Sequence, residues 1–271
     1  MKGFLSKLKR TVRLVQMSRC RYLIDIPIRL FAGHNLRKLA VLYGSDKWND
    51  HWYAQHYEMH FDRFRWKRLT LIEIGVGGYG DPGLGGGSLR MWRSYFPFAR
   101  IHGIDIEDKS RHAGRRLEIH RGSQTDVGFL TDVLRKSGAP DLIIDDGSHR
   151  SQDVIRTFLF LFPLLRKGGF YAVEDTQTSY WPMIGGNSEN FNDCRTTMGF
   201  FKALVDGLNW EEYFGEYSAT ELDVTIRAIH FYHNLVVVEK GDNREGSHNR
   251  EWHQRLPEWL PSVRRQETPV H

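Results

Sequence analysis

Apolar residues recur along this chain in two alternating rhythms. Short continuous runs, which read as strands buried on both faces, occupy residues 69–75, 100–106, 117–120, 141–146 and 170–175. Between them the spacing lengthens to the helical period over residues 88–96, 127–137 and 151–166. Strand and helix in alternation predict right-handed crossovers and a parallel sheet. A helix over 194–208 follows, then strands 224–231 and 235–239, which meet at His233-Asn234; the second reads as an antiparallel insertion. The expected fold is α/β and Rossmann-like: a seven-stranded, mostly parallel sheet with one antiparallel strand and helices on both faces.

The flanking segments follow other patterns. Residues 36–66 read as helices around the turn Tyr43-Gly44-Ser45-Asp46-Lys47-Trp48, with one helix over about 50–64. Phe4, Leu5, Leu8, Val12 and Val15 fall at helical spacing among cations, the pattern of a basic amphipathic helix that lies on an anionic membrane surface or packs on protein. The chain thus divides into a basic arm (1–35), a helical cap segment (36–66), the α/β domain (67–240) and a charged, loosely attached tail without periodicity (241–271).

Charge sharpens that division. The formal net charge is +5, but residues 1–22 carry seven basic side chains and no acid, which leaves 31 basic against 33 acidic residues elsewhere. Basicity confined to an arm argues against a nucleic-acid partner, which expects a basic face on the folded unit. Cys20 and Cys194 are the only cysteines, too few for a disulfide framework and in keeping with a reducing cytoplasm. No window is apolar and long enough to span a bilayer, because Pro163 breaks the longest run, and no signal peptide is expected. The expected location is cytoplasmic, with membrane association through the arm. Aromatic residues at 13% suggest stacking surfaces as well as core.

The first strand runs into Gly75-Val76-Gly77-Gly78-Tyr79-Gly80. Ligands of open α/β sheets bind at the carboxyl ends of strands, so this is the expected cofactor corner. Gly75, Gly77 and Gly80 match the dinucleotide fingerprint G-x-G-x-x-G. That fingerprint needs a helix to open at the glycines and meet a pyrophosphate. Here Asp81-Pro82-Gly83-Leu84-Gly85-Gly86-Gly87 intervenes, and the first good N-cap is Ser88. A cofactor without phosphates, such as S-adenosylmethionine, suits a displaced helix better.

Acids mark the other strand ends. Asp105 ends the second strand, well placed for both hydroxyls of a ribose. Gln124 and Asp126 follow the third, where they would read an adenine edge or simply form a turn. Asp145-Asp146-Gly147-Ser148-His149 ends the fourth strand and Glu174-Asp175 the fifth. Like charges delivered to one rim repel unless something cationic sits between them. Oxygen-rich clusters suit hard divalent cations such as Mg²⁺. His149, with an imidazole that titrates near neutrality, is the natural general base. His56 and His60 share a helix face at i, i+4 spacing, but not in the zinc-protease order, and read as structural.

The chain resembles the metal-dependent sugar O-methyltransferases of class I, which act on macrolide 6-deoxyallose and on rhamnosyl polyketides. The resemblance covers about residues 40–240. It rests on Tyr43-Gly44-Ser45-Asp46-Lys47, His51-Trp52-Tyr53, Glu73-Ile74-Gly75-Val76-Gly77-Gly78-Tyr79, Gly86-Gly87-Ser88-Leu89-Arg90-Met91-Trp92, Gly103-Ile104-Asp105-Ile106-Glu107-Asp108-Lys109, Ile144-Asp145-Asp146-Gly147-Ser148-His149, Val173-Glu174-Asp175 and Thr178-Ser179-Tyr180-Trp181-Pro182. The acid-Gly-Ser-His piece joined to the Glu-Asp pair is specific; the glycine loop alone is not. The resemblance implies a class I methyltransferase fold. It implies S-adenosylmethionine bound through Tyr43, Glu73, Gly75, Gly77, Asp105, Gln124, Asp126 and Asp145. It also implies Mg²⁺ held by Asp146, Glu174 and Asp175, and His149 as base beside Asp146. Tyr180 and Trp181 would stack on the sugar. Two departures stand out: the macrolide enzymes carry a large additional N-terminal domain where this chain has its basic arm, and Gly122-Ser123-Gln124 lacks the acid that often precedes the Gln.

The expected reaction is methyl transfer to a sugar hydroxyl of a glycosylated natural product or glycolipid, by a homo-oligomer. Three rivals share parts of the pattern. A catechol-type O-methyltransferase would use the same metal logic. A nicotinamide-dependent oxidoreductase would use the glycine loop but not the acids, and a silent membrane scaffold would need neither.

Overall fold

A computed structural model describes residues 21–247, with the backbone alone for residues 21–25. Most of the basic arm and residues 248–271 lie outside the described residues. Seven strands, β1 (Thr70–Ile74), β2 (Arg100–Asp105), β3 (Leu117–Arg121), β4 (Leu142–Asp145), β5 (Phe170–Glu174), β6 (Ile226–Tyr232) and β7 (Leu235–Lys240), are hydrogen-bonded in the order β3-β2-β1-β4-β5-β7-β6, with β7 antiparallel to both of its neighbours. By compactness the chain divides into two units, residues 1–147 and 148–271.

The first unit contains α1 (Arg21–Ala32), α2 (Leu36–Tyr43), α3 (Tyr53–Phe61), β1 (Thr70–Ile74), α4 (Gly87–Tyr95), β2 (Arg100–Asp105), β3 (Leu117–Arg121), α5 (Val127–Ser137) and β4 (Leu142–Asp145). All five residues of β1 are buried, as its unbroken apolar run requires. Ile74 pairs in register with Ile104 of β2 and Asp145 of β4, so three strand ends reach the same level. That register builds a common rim for whatever follows each strand. The cap helices belong to this unit's core. Tyr57 of α3 meets the Trp92 ring edge-on at 5.2 Å, and Phe61 and Phe96 flank the same indole. Glu58 accepts from the first amide of α2 at 2.8 Å, beside the local cap that Asn35 makes through Lys38 N.

The second unit contains α6 (Ser151–Leu161), β5 (Phe170–Glu174), α7 (Thr197–Asp206), α8 (Glu221–Thr225), β6 (Ile226–Tyr232) and β7 (Leu235–Lys240). Phe158 of α6 is its hub, touching the rings of Phe162, Tyr171, Phe200 and Phe201. The capping box of Thr220 and Asp223 starts α8 where the sequence pattern suggested that a strand begins.

Three expectations are corrected. Helix α4 begins at Gly87 with Gly86, not Ser88, as its cap. Gly86 sits in the left-handed region and its N–H reaches Val76 O at 2.7 Å, which turns the chain into the helix early. Helix α6 ends at Leu161, because Pro163 tightens the next turn into a 3₁₀ segment. The start of the tail is anchored rather than loose. Asn243 Nδ2 donates to Leu208 O and Asp223 O, and Asn243 O accepts from Trp210 Nε1. No helix among the described residues is long and apolar enough to cross a membrane.

Candidate active site

In the first unit the glycine loop leaves β1 between two other strand ends. Gly75 has a φ of +91°, and a Cβ there would lie 1.9 Å from the carbonyl oxygen of Asp146. Its bareness therefore serves the close packing of two chain segments. Gly77 also needs a positive φ (+77°), but no atom would approach its Cβ closer than 3.8 Å. Gly80 has neither constraint, whereas the third glycine of a dinucleotide fingerprint is needed for tight helix–strand packing. Replacing Gly75 by Ala is expected to cost more stability than the same change at Gly77. Both impose roughly 1–3 kcal/mol of backbone strain, and only the first adds a clash with fixed backbone. Urea denaturation of the two variants checks this, and equal midpoints would show that the Asp146 backbone gives way.

The far side of the loop is clamped from below. Buried Lys109 donates to Tyr79 O at 2.7 Å and Asp81 O at 2.6 Å, while His112 Nε2 lies 3.1 Å from Leu84 O. Asp105 ties the near side: Oδ2 accepts from Val76 N and Oδ1 from Glu107 N, both at 2.9 Å. A carboxylate oxygen has two acceptor sites, so each keeps one for a ligand hydroxyl. Gln124 is buried and donates to the Asp145 carboxylate at 3.2 and 3.3 Å. Asp126 caps α5 through Phe129 N at 3.0 Å and is exposed. Tyr43 is buried, its hydroxyl 2.6 Å from Ser94 Oγ within the helical packing.

One functional-site residue carried no assigned role in the sequence reading. Lys47 is buried, with Nζ 3.2 Å from Glu73 Oε1 and 3.0 Å from Asp146 Oδ2. The sequence argument required a cation among the acids, and for these two an ammonium supplies it. Lys47 stood only within a quoted motif, and nothing in a Gly-Ser-Asp-Lys turn announces partners on distant strands. Glu73 is fully buried. Burial pushes its carboxyl up to about 7 and nearby Asp146 adds to that, against Lys47 and Ser88, which favour its charged form. Lys47 and Ser88 lie close, yet neither Glu73 oxygen has a well-directed hydrogen bond among the described residues. A buried carboxylate in that state is poised for another donor.

In the second unit Glu174 is buried at the end of β5, and Asp175 follows it. His149 Nε2 lies 3.7 Å from Asp175 Oδ2. His149 and Asp175 both have left-handed backbone, with φ of +56° and +54°. Such conformations in non-glycine residues cost energy and cluster at functional sites. Tyr180 and Trp181 expose about 38% and 46% of their surface, between two short 3₁₀ turns. Their loop is held by its own backbone, with Gly186 N reaching Trp181 O and Asn187 N reaching Ser179 O. Among the described residues neither His56 nor His60 joins a cluster of potential metal ligands.

No family profile matches the chain. It is 48% identical over 210 residues to the 8-demethyl-8-alpha-L-rhamnosyl tetracenomycin-C 2'-O-methyltransferase of Streptomyces olivaceus, covering 77% of this chain and 55% of that enzyme. It is 40% identical over 230 residues to the mycinamicin VI 2''-O-methyltransferase of Micromonospora griseorubida, covering 84% of this chain and 56% of that enzyme. The crystal structure of the MycE methyltransferase of mycinamycin biosynthesis, in complex with Mg and SAH, superposes with a TM-score of 0.76 at 40% identity, over 84% of this chain and 57% of that one. The chain is similar to these sugar O-methyltransferases and has the class I methyltransferase fold of the matched structure, and it spans about half the length of the curated enzymes it matches. The bridge from Lys47 to Glu73 and Asp146 is visible only in the folded chain.

Proposed function

We propose that this chain transfers a methyl group from S-adenosylmethionine to a sugar hydroxyl of a glycosylated natural product, with Mg²⁺ as its metal. The observation that carries this is the pair of acids at the ends of adjacent strands β1 and β2. Glu73 is a buried carboxylate without well-directed hydrogen bonds, suited to an ammonium. Asp105 keeps an acceptor site on each oxygen, suited to a ribose diol. S-adenosylmethionine offers both groups. A dinucleotide would instead bring a pyrophosphate toward the buried acid at Glu73.

Asp146, Glu174 and Asp175 are the proposed Mg²⁺ ligands, an all-oxygen set that fits a hard cation. Bound there, the cation would supply positive charge to the acceptor oxygen as its proton leaves. His149, whose Nε2 lies 3.7 Å from Asp175 Oδ2, takes that proton. Glu73 and Asp105 fix the methyl donor, so that positioning supplies much of the rate. Tyr180 and Trp181 present half-exposed rings on which a sugar can stack while water is displaced. The similar enzymes are named for rhamnosyl tetracenomycin and mycinamicin substrates, which favours a glycoside as acceptor. A lipid-borne sugar is the second acceptor class, because α1 exposes Ile26, Leu30 and Phe31 next to the basic arm.

Calorimetric titration with S-adenosylhomocysteine, in Mg²⁺ and then in EDTA, tests the cofactor. Binding in the micromolar range with no heat from NAD is expected. Absence of binding in both buffers would overturn the reading. Turnover on soluble glycosides and on glycolipid vesicles then separates the two acceptor classes.

A further inference from the structure

A second cluster of ligand-type side chains lies on β2 and β3, away from the strand ends. His102 of β2 stands opposite Glu118 of β3 in the parallel register, and His120 lies two residues further along the same face. His102 Nδ1 and His120 Nε2 are 3.0 Å apart, and Glu118 Oε2 is 3.9 Å from His102 Nδ1. The two rings stack at 5.3 Å with 16° between their planes. One ligand atom from each of the three residues falls within 4.8 Å of the others.

This is an unusual way to fill a strand position. His102 is 1% exposed, and its Nε2 has no hydrogen-bond partner among the described residues. An unsatisfied buried polar atom costs roughly 1–3 kcal/mol, which an aliphatic residue would avoid. Burial pushes His102 down to about 4 and lowers His120 as well, so both imidazoles are neutral at physiological pH. Neutral imidazole is the form that binds metals. Ligand atoms about 2.0–2.1 Å from a tetrahedral zinc ion lie roughly 3.3 Å from one another. The 3.0 and 3.9 Å separations bracket that value. Glu118 is 61% exposed, so the cluster has a solvent-facing ligand through which an ion can enter.

We propose that His102, Glu118 and His120 form a site for a transition-metal ion of the zinc class, distinct from the hard-cation site. Two imidazoles and one carboxylate suit Zn²⁺ or its neighbours and not Mg²⁺. The ion would clip the edge strand β3 to β2. Asp105 lies three residues beyond His102 and Gln124 four beyond His120, so the clip would brace the two strands that carry them.

Cobalt(II) is the probe, since its visible absorption reports coordination by few ligands. The full chain is titrated with Co²⁺ in a large excess of Mg²⁺, with bound metal counted after dialysis. One Co²⁺ per chain is expected, with visible absorption that His120→Gln abolishes. Loss of an outer hydrogen-bond partner typically weakens metal binding 10- to 100-fold, so Glu118→Gln, which removes a ligand at an exposed position, should weaken it at least about tenfold. Asp175→Asn should leave it unchanged. Three results would overturn the proposal: no Co²⁺ retained in Mg²⁺, loss in Asp175→Asn with retention in His120→Gln, or no effect of Glu118→Gln. The last is what a simple hydrogen-bonded histidine pair predicts.

Discussion

Lys47→Met lowers the unfolding free energy by about 3–5 kcal/mol at pH 8, the usual penalty for removing one partner of a buried ion pair. The effect is large because Lys47 serves two acids, Glu73 at 3.2 Å and Asp146 at 3.0 Å, with no exposure of its own side chain. Its dependence on pH separates charge from packing. Burial holds the folded Glu73 carboxyl near 7, above the ordinary 4.5. A raised acid stabilises the fold below its unfolded value and loses that contribution as pH rises through the folded value. Removing Lys47 raises Glu73 further, so the deficit should be smaller at pH 5 than at pH 8. The double variant Lys47→Met, Glu73→Gln should recover part of the loss at pH 8. Urea midpoints at the two pH values decide the matter. A deficit of equal size at both, with no recovery in the double variant, would mean that Lys47 acts through its hydrocarbon stem alone.

His149→Asn reduces turnover by about 10²- to 10⁴-fold, the range typical of a lost general base, with affinity for S-adenosylhomocysteine unchanged. Asn is the informative substitution because His149 has a φ of +56°, and Asn tolerates left-handed backbone where Ala does not. The change therefore removes the imidazole while keeping the turn. The fall is expected in kcat. Parent-level turnover in His149→Asn would remove the imidazole from the reaction. A rise in KM alone would recast His149 as a binding residue.

The strands were the most legible part of the sequence. Continuous apolar runs such as Leu71-Ile72-Glu73-Ile74 allow few other readings, and acids ending those runs mark the rim because strand direction is fixed by the crossovers. Other elements depend on partners remote in sequence. α1 carries Pro27 in its interior, which argues against a helix, yet it forms one and buries Ile28 and Ala32. The start of α4 followed a backbone bond from Gly86 to Val76, not the preference of Ser88 for capping. The tail held because Asn243 reaches three carbonyls, which composition does not reveal. Within the site the acids and His149 could be picked out, since their residue types state their chemistry. Lys47 could not, because its meaning lies wholly in its partners. Gln124 and Asp126 read as an adenine edge or a turn, and only the fold shows that Gln124 donates to Asp145 and Asp126 caps α5.

The grip of Lys109 on the glycine loop has a consequence for how such a loop can change over time. The ammonium holds carbonyl oxygens of Tyr79 and Asp81, which every residue type possesses. The side chains of Tyr79 and Leu84 point to solvent, 94% and 56% exposed. Loop shape is thereby separated from loop side chains. Substitutions at these two positions can alter what the loop touches while its backbone path persists, so variation there is expected to be tolerated, and variation at position 109 is not.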